Sequence, residues 1–176
     1  MKKTAVVILV LLVANQLFAQ EEKLPLDGKN EVKFNVGNVL LGATELSYER
    51  LIGDNDMGAG LNFAYRLLND PMPYLFYAMP YYRLYFGKSR FCGFVETHVA
   101  FVRMENKEYI DYNEDAYVTN PKNYVGIGVS GGFKWATRRG IMGEVYLGLG
   151  RTATNENGSS NSMVYPHVGV TLGKRF

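Results

Sequence analysis

The sequence predicts an all-β fold: an eight-stranded antiparallel up-and-down transmembrane β-barrel, preceded by a cleavable signal peptide. Three observations predict it. Hydrophobicity alternates with period two almost everywhere after Asn30, as it does when successive side chains point to opposite faces of a strand. The connections between alternating segments are short on one edge and, for the most part, long on the other, the asymmetry of outer-membrane barrels. The chain also carries 13 Tyr, 10 Phe and 19 Gly beside only 6 Pro, and no helical period of comparable length competes with the alternation.

The N-terminal stretch MKKTAVVILVLLVANQLFAQ reads as a signal peptide over residues 1–19. Lys2 and Lys3 supply the positive start, Ala5 to Val13 the apolar run, and Ala19 the small residue at the cut. The run is short for a bilayer-spanning helix, and no cysteine sits at the junction to carry a lipid. Residues 20–29 are expected to be a periplasmic N-terminal segment and residues 30–176 the barrel. Mean hydropathy is −0.12, and no later stretch resembles a spanning helix, which leaves strands as the means of crossing.

Eight segments alternate. In EVKFNVG, Val32, Phe34 and Val36 oppose Lys33 and Asn35; in TELSYER, Leu46 and Tyr48 oppose Glu45, Ser47 and Glu49. GLNFAYRL sets Leu61, Phe63, Tyr65 and Leu67 against Asn62, Ala64 and Arg66, and YYRLYF sets Tyr82, Leu84 and Phe86 against Tyr81, Arg83 and Tyr85. GFVETHVAFV places Val95, Thr97, Val99 and Phe101 opposite Glu96, His98 and Ala100. YVGIGVSGGFKW places Val125, Ile127, Val129, Phe133 and Trp135 opposite glycines, Ser130 and Lys134. GEVYLGLG gives Val145, Leu147 and Leu149 against Glu144 and Tyr146, and the last segment gives Val164, Val168, Val170, Leu172 and Phe176 against His167, Gly169, Thr171 and Arg175.

IGDNDMG, GKSR and TRRG read as tight periplasmic turns. LNDPMPYL, the long MENKEYIDYNEDAYVTNPKN and TATNENGSSNS read as extracellular loops, and NVLLGA as a short one. The long loop is acidic, with Glu105, Glu108, Asp111, Glu114 and Asp115 among Tyr109, Tyr112 and Tyr117, a mixture able to form a recognition surface. Pro166 falls near the outer rim, whereas Pro80 predicts a bulge or a shortened strand.

The two faces decide which side meets lipid. One carries Glu45, Glu49, Arg66, Arg83, Glu96, His98, Lys134, Glu144 and Arg175 among glycines; the other is apolar and almost uncharged. The aromatics of the second face would overfill a barrel of eight strands, whose interior is only wide enough for side chains. The charged face therefore points inward as a lumen charge network of acid–base pairs, and most glycines make room for larger inward side chains. Tyr65, Phe86, Phe91, Phe101, Phe133, Trp135 and Phe176 are expected at the lipid interfaces, in two girdles about 25 Å apart.

YVGIGVSGGFKW matches both the dinucleotide motif GxGxxG and the nucleophile elbow GxSxG. Each needs a helix after its strand; this segment is followed by a turn, so both are set aside. Glu96, His98 and His167 are the weak catalytic candidates, a carboxylate beside histidines being able to move protons. DNDMG begins like a calcium loop without its distal glutamate, and Cys92 alone cannot form an internal disulfide or a CxxC site. No metal and no cofactor are expected. A net charge of +2 gives no reason to expect a nucleic-acid partner.

YYRLYFGKSRFCGFVETHVAF, VGIGVSGGFKWATRRGIMGEVYLGLGR and YPHVGVTLGKRF resemble an uncharacterised family of small outer-membrane β-barrels common in Bacteroidota, a domain of unknown function, over roughly residues 30 to 176. By fold the chain is similar to OmpX-like and OmpA-like barrels. The C-terminal pattern Val168, Val170, Leu172, Phe176 resembles the signal read by the barrel-assembly machinery, with Lys174 departing from the usual apolar residue. The family resemblance implies an outer-membrane location and brings no catalytic residues, and the analogy to OmpX-like and OmpA-like barrels implies a structural, adhesion or defence role.

The expected function is accordingly that of a monomeric outer-membrane barrel with outer-membrane lipid as its partner, a closed salt-bridged lumen and loops that meet an unknown extracellular ligand. The alternatives are an outer-membrane lipid-modifying enzyme using Glu96, His98 or His167, and a soluble periplasmic barrel binding an apolar ligand.

Overall fold

A computed structural model describes residues 28–40, 42–67, 74–87, 91–111, 116–156 and 159–176. The expected signal peptide, 1–19, lies outside the described residues. The elements are β1 (Asn30–Asn35), α1 (Val36–Leu40), β2 (Ala43–Ile52), β3 (Met57–Arg66), β4 (Tyr74–Phe86), β5 (Phe91–Asp111), β6 (Ala116–Ala136), β7 (Ile141–Glu156) and β8 (Ser159–Arg175). Each strand pairs antiparallel with the next, and β8 returns to β1, so the eight close into an up-and-down barrel. At the seam the backbones of Asn30 and Phe176 exchange hydrogen bonds of 3.1 and 2.9 Å. The end that holds the β2–β3, β4–β5 and β6–β7 turns is called lower here, and the end with the long hairpins upper.

Four departures from the sequence reading have local causes. First, the opening strand stops at Asn35 instead of running to Gly37. The Asn35 Oδ1 accepts from the backbone N–H groups of Gly37 (3.1 Å) and Asn38 (3.2 Å), the geometry of an asparagine N-cap. It turns the chain into α1 where NVLLGA was expected to be a plain loop.

Second, the acidic segment is not a long loop. β5 runs to Asp111 and β6 begins at Ala116. Their register holds from Arg103↔Asn123 through Tyr109↔Tyr117, carried by the β-favouring Tyr, Ile, Val and Thr of that stretch. Third, TATNENGSSNS is likewise largely strand, since β7 and β8 still pair at Glu156↔Ser159.

Fourth, Pro80 neither bulges nor ends its strand. β4 passes through it, pairing it with Leu61 of β3. On the β5 side Ala78 faces Phe101 and Tyr81 faces His98, so the pairing skips Met79 and Pro80 and resumes in step. The irregularity sits instead at Tyr74/Phe76. Pro166 pairs with Leu149 of β7, and β1, which meets β8 only along Thr171–Arg175, has already ended there. Its missing N–H therefore falls on an edge without a strand partner.

Register and charge agree. Arg83 stands opposite Glu96 on β5, Lys134 opposite Glu144 on β7, and Glu31 opposite Arg175 on β8. Directly opposed residues have the closest side chains in an antiparallel pair, and a one-residue slip would send each charge to the other face. Inside, an apolar cluster of Leu51, Tyr85, Phe94 and Tyr146 lies toward the lower end, and another of Ala64, Tyr77, Met79, Ala100 and Val102 toward the upper end. Along β5 Glu96 and His98 fall between them, and Lys134, Glu144, Glu31 and Arg175 carry the charged interior on to the lower end.

Candidate functional site: the polar interior

The middle of the barrel is built by inward positions of every strand. Arg83 of β4 is the hub: its Nε donates to Glu96 (2.6 Å), and its NH1 donates to Glu144 (2.8 Å) and Glu49 (3.2 Å). Its guanidinium also lies 4.2 Å from the Phe94 ring centre and 4.6 Å from that of Tyr81, a stacking that suits a planar cation. Lys33 bridges Glu49 and Glu144, and Lys134 bridges Glu31 (2.7 Å) and Glu144 (3.3 Å). Arg175 closes the seam against Glu31, 2.6 Å away.

Tyrosines complete the shell. Tyr81 donates to Glu49 at 3.0 Å, Tyr85 also bonds Glu49, and Lys134 donates to the Tyr85 hydroxyl at 2.7 Å. Glu45 is held by neutral donors, Tyr77 (2.6 Å), Asn35 (2.9 Å), Tyr146 (3.2 Å) and Asn38. Buried ions are tolerated when paired and hydrogen-bonded in this way.

Above the hub a second cluster forms. His98 places Nδ1 3.2 Å from Glu96 Oε1 and Nε2 3.0 Å from the Tyr165 hydroxyl. His167 places Nδ1 2.8 Å from Ser130 Oγ and 3.5 Å from Glu96 Oε1. The room comes from glycine on the neighbouring paired strand. A Cβ on Gly128 would strike the His98 ring, one on Gly148 the Ser130 side chain, and one on Gly150 the Tyr165 ring.

Every charged residue of the predicted lumen network points inward. Glu45, Glu49, Arg83, Glu96, His98, Lys134 and Glu144 are buried. Arg175 reaches in from the lower rim, and Arg66 sits at the upper rim, 2.8 Å from Glu105. Glu31, Lys33, Asn35, Ser130 and the four tyrosines that hold Glu45 and Glu49 belong to the same interior and were not among the candidate residues. The alternation already put Lys33, Asn35, Tyr81 and Tyr85 on that face. Nothing in a one-dimensional pattern says which inward residues from different strands will touch.

The interface aromatics project outward. Tyr65, Phe86, Phe91, Phe101, Phe133 and Phe176 are exposed, and Phe91 stacks on Phe133 with ring centres 5.3 Å apart. Trp135 is half-buried, its ring lying over Gly143 of the next strand. Lys174, the departure from the C-terminal pattern, donates to the Arg139 carbonyl in the β6–β7 turn.

The geometry speaks on the catalytic candidates. A serine–histidine–acid relay uses opposite ring nitrogens, one for the nucleophile and one for the acid. Here Ser130 and Glu96 approach the same nitrogen of His167. Two carboxylate groupings could hold a cation: Glu96 with His98 and His167, and Glu31 with Glu49 and Glu144. The second already surrounds Lys33, Lys134 and Arg83.

Two solved structures are similar to this one. The N-terminal β-barrel domain of Pseudomonas aeruginosa OprF matches with a TM-score of 0.52 at 15% identity, covering 84% of this chain and 96% of that one. Neisserial surface protein A, NspA, matches with a TM-score of 0.52 at 10% identity, covering 84% of this chain and 94% of that one. The chain shares the β-barrel fold of these two structures. At such identities the likeness concerns the fold alone. No protein-family model and no curated protein sequence matches the chain, so the resemblance to a Bacteroidota family rests on the quoted motifs only.

Proposed function

We propose that this chain is a small integral outer-membrane barrel, monomeric, with a closed salt-bridged lumen and a structural or surface-interaction role exercised through its upper hairpins. The observation that carries the reading is the inversion of the two faces. Ile127, Val129, Leu147 and Leu149 are each at least 60% exposed on the outside, while Glu31, Glu49, Glu96 and Glu144 are fully buried within. Lipid makes such an outer surface stable; water does not.

The same inversion weighs against a soluble barrel that binds an apolar ligand, because such a barrel keeps its apolar side chains inside. Against a lipid-modifying enzyme stands the placement of Glu96, His98 and His167 beneath the layer of Ala64, Tyr77, Met79, Ala100 and Val102. Outer-membrane lipid is then the immediate partner, and the terminal Phe176 the element offered to the barrel-assembly machinery. The β5–β6 hairpin, the tallest part of the wall, is where an extracellular ligand would meet the protein.

Membrane fractionation followed by gel migration with and without boiling tests this reading. A membrane-bound band that shifts on heating is expected. Recovery in the soluble periplasmic fraction, with no shift, would sink it.

A further inference from the structure

The chain contains only two histidines, 98 and 167, on strands β5 and β8. The fold brings both to one carboxylate, with their ring centres 4.6 Å apart. We propose that Glu96, His98 and His167 form a buried site for one divalent transition-metal cation of the zinc or cobalt class.

The spacing is that of a ligand set. Imidazole nitrogen and carboxylate oxygen bind zinc at about 2.0–2.2 Å, so tetrahedral ligands lie roughly 3.4 Å from one another. The Nδ1 atoms of His98 and His167 are 3.2 and 3.5 Å from Glu96 Oε1, and the three donor atoms all lie within 4.8 Å of one another. Three protein ligands leave a fourth position, and the Ser130 hydroxyl, 2.8 Å from His167 Nδ1, borders it.

The outer shell is in place as well. The Tyr165 hydroxyl lies 3.0 Å from the far nitrogen of His98; by accepting a proton from that nitrogen when a cation binds, it would leave Nδ1 its lone pair for the ion. Arg83 holds the other oxygen of Glu96 at 2.6 Å. His167 is wedged between the rings of His98 and Tyr146, and its Nε2 is buried without a hydrogen-bond partner among the described residues. Its polar contacts are therefore made by Nδ1, the nitrogen that faces Glu96. Partners that orient ligands in this manner recur around metal sites.

The two carboxylate groupings are paired differently. Glu31, Glu49 and Glu144 surround Lys33, Lys134 and Arg83, whereas Glu96 has Arg83 on one oxygen and two imidazoles on the other. Since the upper apolar layer covers the cluster, the ion is taken up as the barrel closes, when binding and folding are coupled.

The test uses the full chain without tag histidines, refolded in detergent with Co²⁺ alone as the probe. About one cobalt per folded chain is expected, with the visible d–d bands of a tetrahedral nitrogen–oxygen site that Zn²⁺ abolishes. The double variant His98→Gln/His167→Gln should fold, as judged by its heat-shifted gel band, and lose those bands. Tyr165→Phe, which keeps all three ligands, should weaken binding by roughly tenfold. Should the double variant fail to fold, side-chain nitrogen NMR of the unaltered chain decides: zinc must move the resonances of both histidines. Folded wild-type barrel without tetrahedral bands, cobalt bound equally by the double variant, or histidine resonances indifferent to zinc would each overturn the proposal.

Discussion

Arg83 and Glu96 face each other across the β4–β5 ladder, Nε to Oε2 at 2.6 Å, and the same guanidinium reaches Glu144 and Glu49 on two other strands. One side chain thus ties four strands through the centre of the barrel. Each carboxylate is fully buried, so losing the cation leaves desolvated negative charge behind.

The first prediction concerns that hub. Arg83→Met should lower unfolding stability by about 3–5 kcal/mol, the usual penalty for breaking a buried ion pair from one side. Glu96→Gln, which keeps an acceptor for Arg83 and removes only one charge, should lower it by less. Urea unfolding of the refolded barrel in lipid vesicles measures both. Equal, small losses for the two variants would mean that the interior is wetter and more compliant than the ion-pair distances imply.

A second prediction separates glycines by face. Gly128 points inward against the His98 ring, while Gly131 points outward with its nearest prospective contact at 3.7 Å. Gly128→Ala should destabilise the barrel by about 1–3 kcal/mol through overpacking. Gly131→Ala should change stability by less than about 0.5 kcal/mol. Reversal of that order, in the same unfolding assay, would show that the segment sits one residue out of register.

Much of this fold was legible in one dimension because the barrel leaves each strand two environments and nothing else. Period two then assigns side chains to faces without knowledge of the partner strand, and it placed Tyr81, Arg83, Tyr85, Glu96 and His98 together on the inner one. What stayed hidden has two physical sources. The Asn35 cap is a local competition between a strand and a helix start, decided by one side-chain oxygen bonding to Gly37 and Asn38. The β5–β6 extension hides because acidic residues suggest solvent, and a solvated hairpin looks like a loop when only polarity is read. Convergence of Ser130, Glu96 and His167 from three strands depends on barrel stagger, which no single segment records.

The Asn35 cap supplies a third prediction. Its side chain bonds the start of α1 and also donates to Glu45 at 2.9 Å. Asn35→Ala should cost about 1–2 kcal/mol for the cap. The effect should be local, seen as faster amide exchange at Gly37 and Asn38 with β5 and β6 protection unchanged. Uniformly faster exchange across all strands would show that Asn35 holds the barrel closure instead of the helix.

The lone tryptophan offers a direct measure of depth. Trp135 is on the outer face near the lower rim, with Phe133, Phe91 and Phe86 nearby, where interfacial aromatics are expected. In vesicles of brominated phospholipid its fluorescence should be quenched most by bromines near the headgroup and least by those at the chain end. Emission at a fully aqueous wavelength, untouched by any brominated lipid, would remove the lower girdle from the account.

The outward wall itself gives the sharpest discrimination between lipid and water as the surrounding solvent. Leu147 is 69% exposed and stands beside Gly131 of β6 and Val168 of β8, away from both rims. Were this surface in water, Leu147→Arg would add a solvated charge to an exposed site and change stability by no more than about 0.5 kcal/mol. Facing hydrocarbon, the same substitution should destabilise the barrel by about 2–4 kcal/mol, the depth-dependent penalty for arginine on a lipid-facing strand. An arginine in place of Arg50's neighbour Ile52, at the lower end of β2, should be far milder because a long side chain can reach the headgroups. Stability in lipid that falls steeply for position 147 and only slightly for position 52 is the expected pattern. A flat response at both positions would mean that the apolar wall does not face a membrane.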